Sequence, residues 1–226
     1  MSFTNFNEIA KSKNQVIRIM HVPTSTKVEF AAFLTEYSDQ YSVGWGDERI
    51  FGRNDSVKPY QSTTRTISIG FDVLSPSFES ARENMSKIST LTKMLYPVYS
   101  EPLDGSGGSI GRSIKAPPLL RLGFVNLIQS AGGGGDLLGC IEGFSFSPNK
   151  EAGYFVETSG ELFPKHYNIS FTFTPQHENP LGWDTVSNSF LTDTFPYSSV
   201  SENQGETNQN NQNSSLDSAA EDRSLE

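Results

Sequence analysis

The stretch "TTRTISIGFDVLSPSFESARENMSKISTLTKMLYP" (residues 63–97) decides the fold. Its first half alternates apolar and polar side chains, which is the period of a strand with one buried face. The apolar members are Ile67, Ile69, Phe71 and Val73. The pattern therefore predicts one long strand that leads almost directly into the next element.

The second half of this stretch has helical spacing, with apolar residues every three or four positions. Ser75 is the expected N-cap and Pro76 the first helical residue, where a missing N–H costs little. Pro97 should end the helix, because the residue before a proline avoids helical backbone. The sequence thus predicts one amphipathic helix of about twenty residues. Its apolar stripe comprises Phe78, Ala81, Met85, Ile88, Leu91 and Leu95.

The rest of the body has the patterns of further strands, separated by Gly-, Ser- and Asn-rich turns. Two of these segments are expected to form an antiparallel pair joined near Ser38 to Gln40. The candidates are residues 15–22, the pair 27–37 and 40–50, then 119–130, 137–148, 153–158 and 167–176. We predict a mainly β fold, an antiparallel β-sandwich or partly closed barrel with one flanking α-helix.

The chain divides into a body, residues 1–198, and a polar tail, residues 199–226. A Gly/Ser-rich segment at about 101–118 is expected to be a flexible insertion in the body. The net charge is −9. The tail holds six carboxylates and one arginine, so it carries more than half of the negative net charge. With so few apolar residues the tail is expected to be disordered by itself.

Composition also limits the partners. The body shows no basic stripe, which argues against tight binding of nucleic acid. No apolar run has the length of a membrane span, and the N-terminal segment lacks an apolar signal core. We therefore expect a protein made in a cytoplasm, with no membrane partner.

Few residues have the spacing that a catalytic, metal or phosphate-binding site would require. The histidines His21, His166 and His177 lack metal-ligand spacing, and the single Cys140 is expected to be a small buried core residue. The stretches "DGSGGSIGR" and "AGGGGD" lack the Lys-Ser/Thr of a phosphate-binding loop. We expect no catalytic residue, no cofactor and no metal.

Two other classes of protein remain open. A glycosidase pairs two carboxylates across a cleft, and five candidates lie on or near predicted strands. They are Asp47, Glu48, Glu142, Glu157 and Glu161. A carbohydrate-binding β-sandwich module would instead stack sugars on aromatic rings such as Trp45.

The block from Gly52 to Tyr99 resembles the baseplate-proximal tail-tube proteins of contractile-tailed bacteriophages, the tube initiators. The matching residues are Gly52-Arg53, Asp55, Tyr60, Thr64-Arg65, Phe71, Ala81, Asn84, Ile88, Leu91 and Leu95-Tyr96-Pro97-x-Tyr99. The segments "APPLLRLGF" and "GCIEGFSFSP" also look like the second half of that family, so the resemblance covers most of residues 28–175, with its distinctive part in under fifty of them. The long insertion and the polar tail depart from the family pattern.

The resemblance implies a virion protein without enzymatic activity, assembled in the host cytoplasm. Six protomers would close into a ring at the junction of baseplate hub and tail tube, start tube polymerisation and line the DNA channel. Its partners would be other copies, the baseplate hub protein, the tail-tube protein and sheath or wedge proteins, with DNA only as passing cargo. A peripheral baseplate wedge protein is the alternative within the same particle.

The same resemblance suggests an assembly interface on both sides of the strand–helix unit. Its candidate residues are Arg53, Asp55, Tyr60, Arg65, Tyr96, Pro97 and Tyr99. Charged and polar members would pair across protomers, and tyrosines offer large amphipathic contacts. Anchoring of loops within one chain is the alternative role for each of these residues.

Overall fold

The computed structural model of the chain describes residue 12 and residues 15–31, 33–100, 113–132, 135–157, 160–192 and 195–197. The proposed polar tail and most of the Gly/Ser-rich insertion lie outside these residues. One helix of 17 residues, α1, spans Phe78–Met94. The strands are β1 (Ile17–His21), β2 (Thr26–Phe30), β3 (Phe33–Trp45), β4 (Tyr60–Leu74), β5 (Val98–Tyr99), β6 (Ile114–Ala116), β7 (Leu120–Gly123), β8 (Leu137–Pro148), β9 (Tyr154–Val156), β10 (Leu162–Pro164), β11 (His166–Pro175), β12 (Trp183–Asp184) and β13 (Ser189–Phe190).

Seven strands form one antiparallel sheet in the order β2-β1-β7-β8-β11-β4-β3. The sheet does not close into a barrel, so β2 and β3 are its two edges. Three short hairpins, β5–β6, β9–β10 and β12–β13, lie outside it. The predicted mainly β class with a packed helix is confirmed, and the barrel part of the prediction is replaced by an open sheet.

Alternation along β4 and β11 builds the core. The two strands pair in register, Ile69 opposite Phe171 and Ile67 opposite Phe173. All four side chains are buried and join one cluster with residues of β1, β2, β7 and β8. Because successive side chains point to opposite faces, the buried apolar residues of these strands share one face of the sheet. We call this the core face and its opposite the open face.

Helix α1 covers the core face, but its boundaries differ from the prediction. Ser77, not Ser75, is the N-cap, and its hydroxyl accepts a hydrogen bond from the Ser80 N–H at 3.2 Å. Ser75 is buried and accepts a hydrogen bond from the Asn84 side chain at 3.1 Å. Ser77 directly precedes the first helical residue and has the extended backbone of an N-cap, with φ −135° and ψ 163°. Pro76 therefore lies before the helix instead of at its first position.

The helix also ends earlier than Pro97. Met94 is its last residue, and Leu95 and Tyr96 close it with hydrogen bonds to the Thr92 and Lys93 carbonyls. The buried residues of α1 are Ala81, Asn84, Ile88, Leu91 and Met94. Of the predicted stripe, Ala81, Ile88 and Leu91 are buried, and Leu95 packs against the core while partly buried. Phe78 packs against the rings of Phe155 and Phe163, and Met85 is half-buried. Asn84 and Met94 are the buried residues that the prediction did not include.

Strand β3 corrects the predicted turn. The chain runs straight through Ser38 to Gln40, because each of these residues pairs with a residue of β4, as in Asp39 opposite Ile67. The reversal comes later, between the isolated bridge partners Glu48 and Val57. In sequence, a run of polar residues looks like a turn. Here the run lies within the 13-residue strand β3, which pairs with the longer strand β4.

Two further predictions fail for local reasons. Residues 119–130 are a strand only over Leu120–Gly123, after which Val125 adopts a positive φ of 45° in a tight turn. Cys140 is half-buried rather than in the core, because alternation along β8 places it on the open face. Its Sγ lies 3.9 Å from the Gln176 amide nitrogen.

Replacing Ser77 by alanine tests the observed helix start. We expect S77A to lose about 1 kcal/mol of unfolding free energy, because the Ser80 N–H loses its acceptor. The matched control S86A changes an exposed serine within α1 and should not lower stability. Urea unfolding followed by circular dichroism measures both, and equal midpoints for the two variants would contradict the assignment.

Candidate assembly site

The open face of the sheet consists mainly of short uncharged side chains. Its central strands β4, β8 and β11 present hydroxyl groups, with a few carboxylates among them. These residues are Thr66, Ser68, Asp72, Glu142, Ser145, Ser147, Ser170, Thr172 and Thr174. Asn168 bridges this group by donating to Asp72 at 2.8 Å.

Each lysine or arginine that the seven described strands place on this face has an acidic partner. Arg18 pairs with Asp136 at 3.0 Å, and Gly123 makes room for that carboxylate because a Cβ there would collide with it. Arg121 binds Glu178 through two hydrogen bonds of 2.6 and 2.8 Å. Lys27 pairs with Glu29 within β2 at 2.8 Å. The open face is therefore polar but carries no unpaired cation among the described strand residues.

The distal part of the β3–β4 hairpin, residues 41–64, extends beyond the core, and we call it the arm. Its side chains are exposed on both faces, including Tyr41, Val43, Trp45 and Tyr60. Trp45 and Tyr60 pack edge to face with ring centres 5.7 Å apart and planes at 77°. The two rings do not form the single flat surface on which a sugar would stack.

The arm ends in a polar tip that carries two apolar residues. The Arg53 N–H donates to the Ile50 carbonyl at 3.2 Å, and Gly52 has the positive φ of 83° that this turn requires. Phe51 is fully exposed and Ile50 is half exposed. Around them Asp47, Arg49, Arg53, Asn54, Asp55 and Ser56 line a shallow cavity of about 330 Å³.

A buried ion pair lies at the root of the arm. Arg65 of β4 donates two hydrogen bonds to Asp39 of β3, 2.9 Å from Nε and 2.6 Å from Nη2. Their side chains are only 2% and 3% exposed. Removing one partner would leave the other charge buried and unpaired, which is far more costly than losing a surface ion pair. This pair therefore joins β3 to β4 at the point where the arm begins.

The C-terminal end of the described chain covers this pair. Tyr197 donates a hydrogen bond to Asp39 at 2.9 Å, and Tyr41 donates a longer one at 3.3 Å. The Arg65 guanidinium carbon lies 5.5 Å from the Phe195 ring centre and 5.4 Å from that of Tyr41. A cation over an aromatic face is attracted to it, most strongly away from water.

The pKa values report the same environment. Burial alone would raise the pKa of Asp39, but the hydrogen bonds and charge of Arg65 outweigh it and hold that pKa below its usual value. Burial raises the pKa of Tyr41 to about 12. Burial lowers the pKa of His177, and the positive charge of Arg65 lowers it further. The ion pair thus stays charged while the neighbouring histidine stays neutral.

Beside the ion pair a groove opens between the arm and the C-terminal segment. It consists of two adjoining cavities of about 530 and 460 Å³ that share Gly182 and Phe195. The first is lined by Tyr60, Thr63, Arg65, His177 and Asn179 among others. The second is mainly apolar, with Phe190, Thr192 and Pro196 completing its wall. The volume of each cavity is in the range of pockets that bind a ligand or a partner's side chain.

The predicted interface residues fall into two groups. Arg53, Asp55 and Tyr60 lie on the arm, and Arg65 lies at its root, where its partner is within the same chain. Tyr96, Pro97 and Tyr99 follow α1 on a different element, with Tyr96 66% and Tyr99 50% exposed.

Sequence reasoning missed the other members of this site. Asp39 lies in the polar run that looked like a turn, and Phe195 and Tyr197 lie in a segment with no strand or helix pattern. Only pairing of β3 with β4 places Asp39 next to Arg65, 26 positions away. No spacing in the sequence carries that information.

The structure does not bring the five candidate glycosidase carboxylates together. The five candidate carboxylates lie in three places: Asp47 and Glu48 on the arm, Glu142 on the open face, Glu157 and Glu161 at the turn of β9–β10. Among the described residues, no group of three or more His, Cys, Asp and Glu side chains is arranged to hold a metal. Nor does this part of the chain contain a helix long and apolar enough to cross a membrane.

No protein-family model and no curated protein matches the sequence. Among solved structures, the chain is similar to the Dit (gp 19.1) protein of SPP1, described as a paradigm of the hub adsorption apparatus in Gram-positive infecting phages. The identity is 12% and the TM-score 0.37, over 71% of this chain and 50% of that protein. The chain thus spans half the length of the solved protein, at a TM-score too low to establish a common fold.

The Asp39–Arg65 pair is tested by removing each partner. We expect D39A to lose about 3–5 kcal/mol of unfolding free energy, because it leaves a buried guanidinium unpaired. The double variant D39A/R65M should recover part of that loss, since no charge is then buried alone. Y197F, which removes one hydrogen bond to Asp39, should lose only about 1 kcal/mol. Urea unfolding measures all three, and a D39A variant as stable as Y197F would contradict the role of the pair.

Proposed function

We propose that this chain is a structural component of a phage tail, a ring-forming protein at the junction of baseplate hub and tail tube. In this role it starts polymerisation of the tube, and its open face lines the channel through which DNA passes. Its partners are other copies of itself, the hub protein, the tube protein and sheath or wedge proteins around them. The proposal rests on the residues described above and on the sequence resemblance, not on the structural comparison.

The chemistry of the open face carries this proposal. DNA binds proteins chiefly through lysines and arginines that neutralise phosphates. On the open face the described cations Arg18, Lys27 and Arg121 are already paired with carboxylates, and the central strands present hydroxyl groups. Such a surface offers passing phosphates few charges to bind, which suits a conduit and not a DNA-binding site.

The two sheet edges supply a way to close a ring. β3 is an edge strand of 13 residues that contains no proline and no lysine, the residues that commonly block edge-to-edge pairing. β2 is the opposite edge. If β3 of one copy pairs with β2 of the next, the contact is heterologous and repeats around an axis until it closes. In such a ring each sheet continues into its neighbour, and the five residues of β2 cover part of the 13-residue edge of β3.

Electron microscopy of tails from particles that carry the chain tests the position. We expect a ring with six-fold symmetry around the axis, between hub and tube. A position away from the axis would make the chain a wedge protein, and its absence from the particle would reject a structural role in the tail.

A charge placed on the open face tests the conduit. We expect S145R to lower the titre of infectious particles by about tenfold or more, because each ring would present new cations to the DNA. The matched control S89R adds the same charge on the exposed outer side of α1 and should leave the titre unchanged. S145E is a second control at the same position. Equal titres for S145R and S89R would contradict the assignment of the open face to the channel.

A further inference from the structure

Three residues near the end of the described chain, Phe195, Pro196 and Tyr197, cross the root of the arm, and we call them the strap. Tyr197 donates a hydrogen bond to Asp39 at 2.9 Å, and the Phe195 ring centre lies 5.5 Å from the Arg65 guanidinium carbon. The described backbone hydrogen bonds outside helices and strands include none from the strap. In the described part of the chain, side-chain contacts with the buried ion pair and its surroundings therefore hold the strap in place.

His177 packs against the strap, two residues after the end of β11. Its ring centre lies 5.4 Å from that of Phe195, with the two planes at 88°. The Nδ1 atom of His177 is buried and has no hydrogen-bond partner among the described residues. An imidazolium carries a proton on both ring nitrogens. The charged form of His177 would therefore bury an N–H group that has no acceptor, whereas the neutral form does not have to.

The charges around this cluster come from several elements, and one of them is a fixed cation. The described charged and titratable groups are Arg65 of β4, Asp39 and Tyr41 of β3, Tyr197 of the strap, and Glu178, which is bound by Arg121. Burial lowers the pKa of His177, the charge of Arg65 lowers it further, and the charge of Asp39 opposes them. The cluster thus favours a neutral imidazole.

We propose that acid releases the strap, because a proton on His177 places a second cation beside Arg65 at the point where Phe195 packs. A phenyl ring attracts a cation, but this ring already lies near the Arg65 guanidinium, and two buried cations at one ring repel each other. Release removes the wall that Phe195 gives to both cavities of the groove. It also removes the anchor that lies directly before the polar tail.

The direction of the pH dependence follows from the protons bound in each state. With the strap in place, the pKa of His177 is below its ordinary value of 6.5, so the released form binds the proton more readily. The strap is therefore held at full strength above about pH 6.5, and its release constant rises by up to about tenfold per pH unit below that value. The pKa values of Asp39 and Glu178 are below 3.8 and 4.5, so both carboxylates stay ionised down to about pH 5.

Hydroxyl-radical footprinting of the full chain, read by mass spectrometry, tests the release. The oxidation rate of Phe195 is divided by that of Phe78, which packs against Phe163 outside the groove and serves as the internal reference. From about pH 7.5 to about pH 5, this ratio should rise in the wild type and stay constant in H177N, which has no titrating ring. H166N removes a histidine on another part of the sheet and should behave like the wild type. Equal rises in H177N and the wild type would overturn the proposal, as would a ratio that does not rise in the wild type.

A charge that does not titrate in this range separates charge from shape at the same position. At about pH 7.5, H177K should show the high Phe195 ratio that the wild type shows at about pH 5, because lysine keeps its charge. H177M is the uncharged control of similar length and should keep the strap in place. Equal ratios for H177K and H177M would overturn the proposal.

Circular dichroism of the same samples distinguishes local release from unfolding. His21 is buried, and burial lowers its pKa too, so acid also weakens the fold as a whole. We expect the far-ultraviolet spectrum at about pH 5 to match that at about pH 7.5 while the Phe195 ratio has risen. A ratio that rises only together with loss of the spectrum would overturn the proposal. The strap acts within one chain, so neither result depends on ring formation.

Discussion

The register of β4 between its two neighbours is the constraint on which the structure depends. β4 pairs with β11 on one side and with β3 on the other, and both pairings are antiparallel. A slip of one residue would move every apolar side chain of β4 from the core face to the open face. Burial of Ile67, Ile69 and Phe71 therefore fixes the register, and the register in turn places the hydroxyl groups of the open face and the aromatic residues of the arm.

The buried ion pair follows from that register at the point where the apolar core ends. Arg65 continues the core-face alternation of β4, so its side chain enters the protein instead of solvent. The register places Tyr41 opposite Arg65 and Asp39 opposite Ile67, and Asp39 supplies the charge that makes burial tolerable. A buried ion pair does not guarantee stability, but removing one partner leaves the other charge buried and unpaired, which is strongly destabilising. Here it joins three parts of the chain: the arm, the edge strand and the segment at Tyr197.

The features of the surface are consistent with repeated assembly. An open sheet with two free edges, an arm with an apolar tip and a groove with a fixed aromatic wall each lack a partner of their own kind within the described chain. In the arrangement that we propose, heterologous contacts around an axis pair the two sheet edges. In the ring that we propose, the neutralised open face is the inner surface, where weak attraction for phosphates is an advantage.

The sequence by itself determined the elements whose signal is local. Two-residue alternation identified β4, β8 and β11, helical spacing identified α1, and together they predicted a mainly β chain with a packed helix. Tertiary structure decided everything that depends on which segments meet. It made β3 one continuous strand, moved the N-cap from Ser75 to Ser77, put Cys140 on the open face and joined Arg65 to Asp39. The physical reason is that periodicity records which side of an element is apolar, whereas pairing partners and burial of single polar groups are set by contacts between residues far apart in the chain.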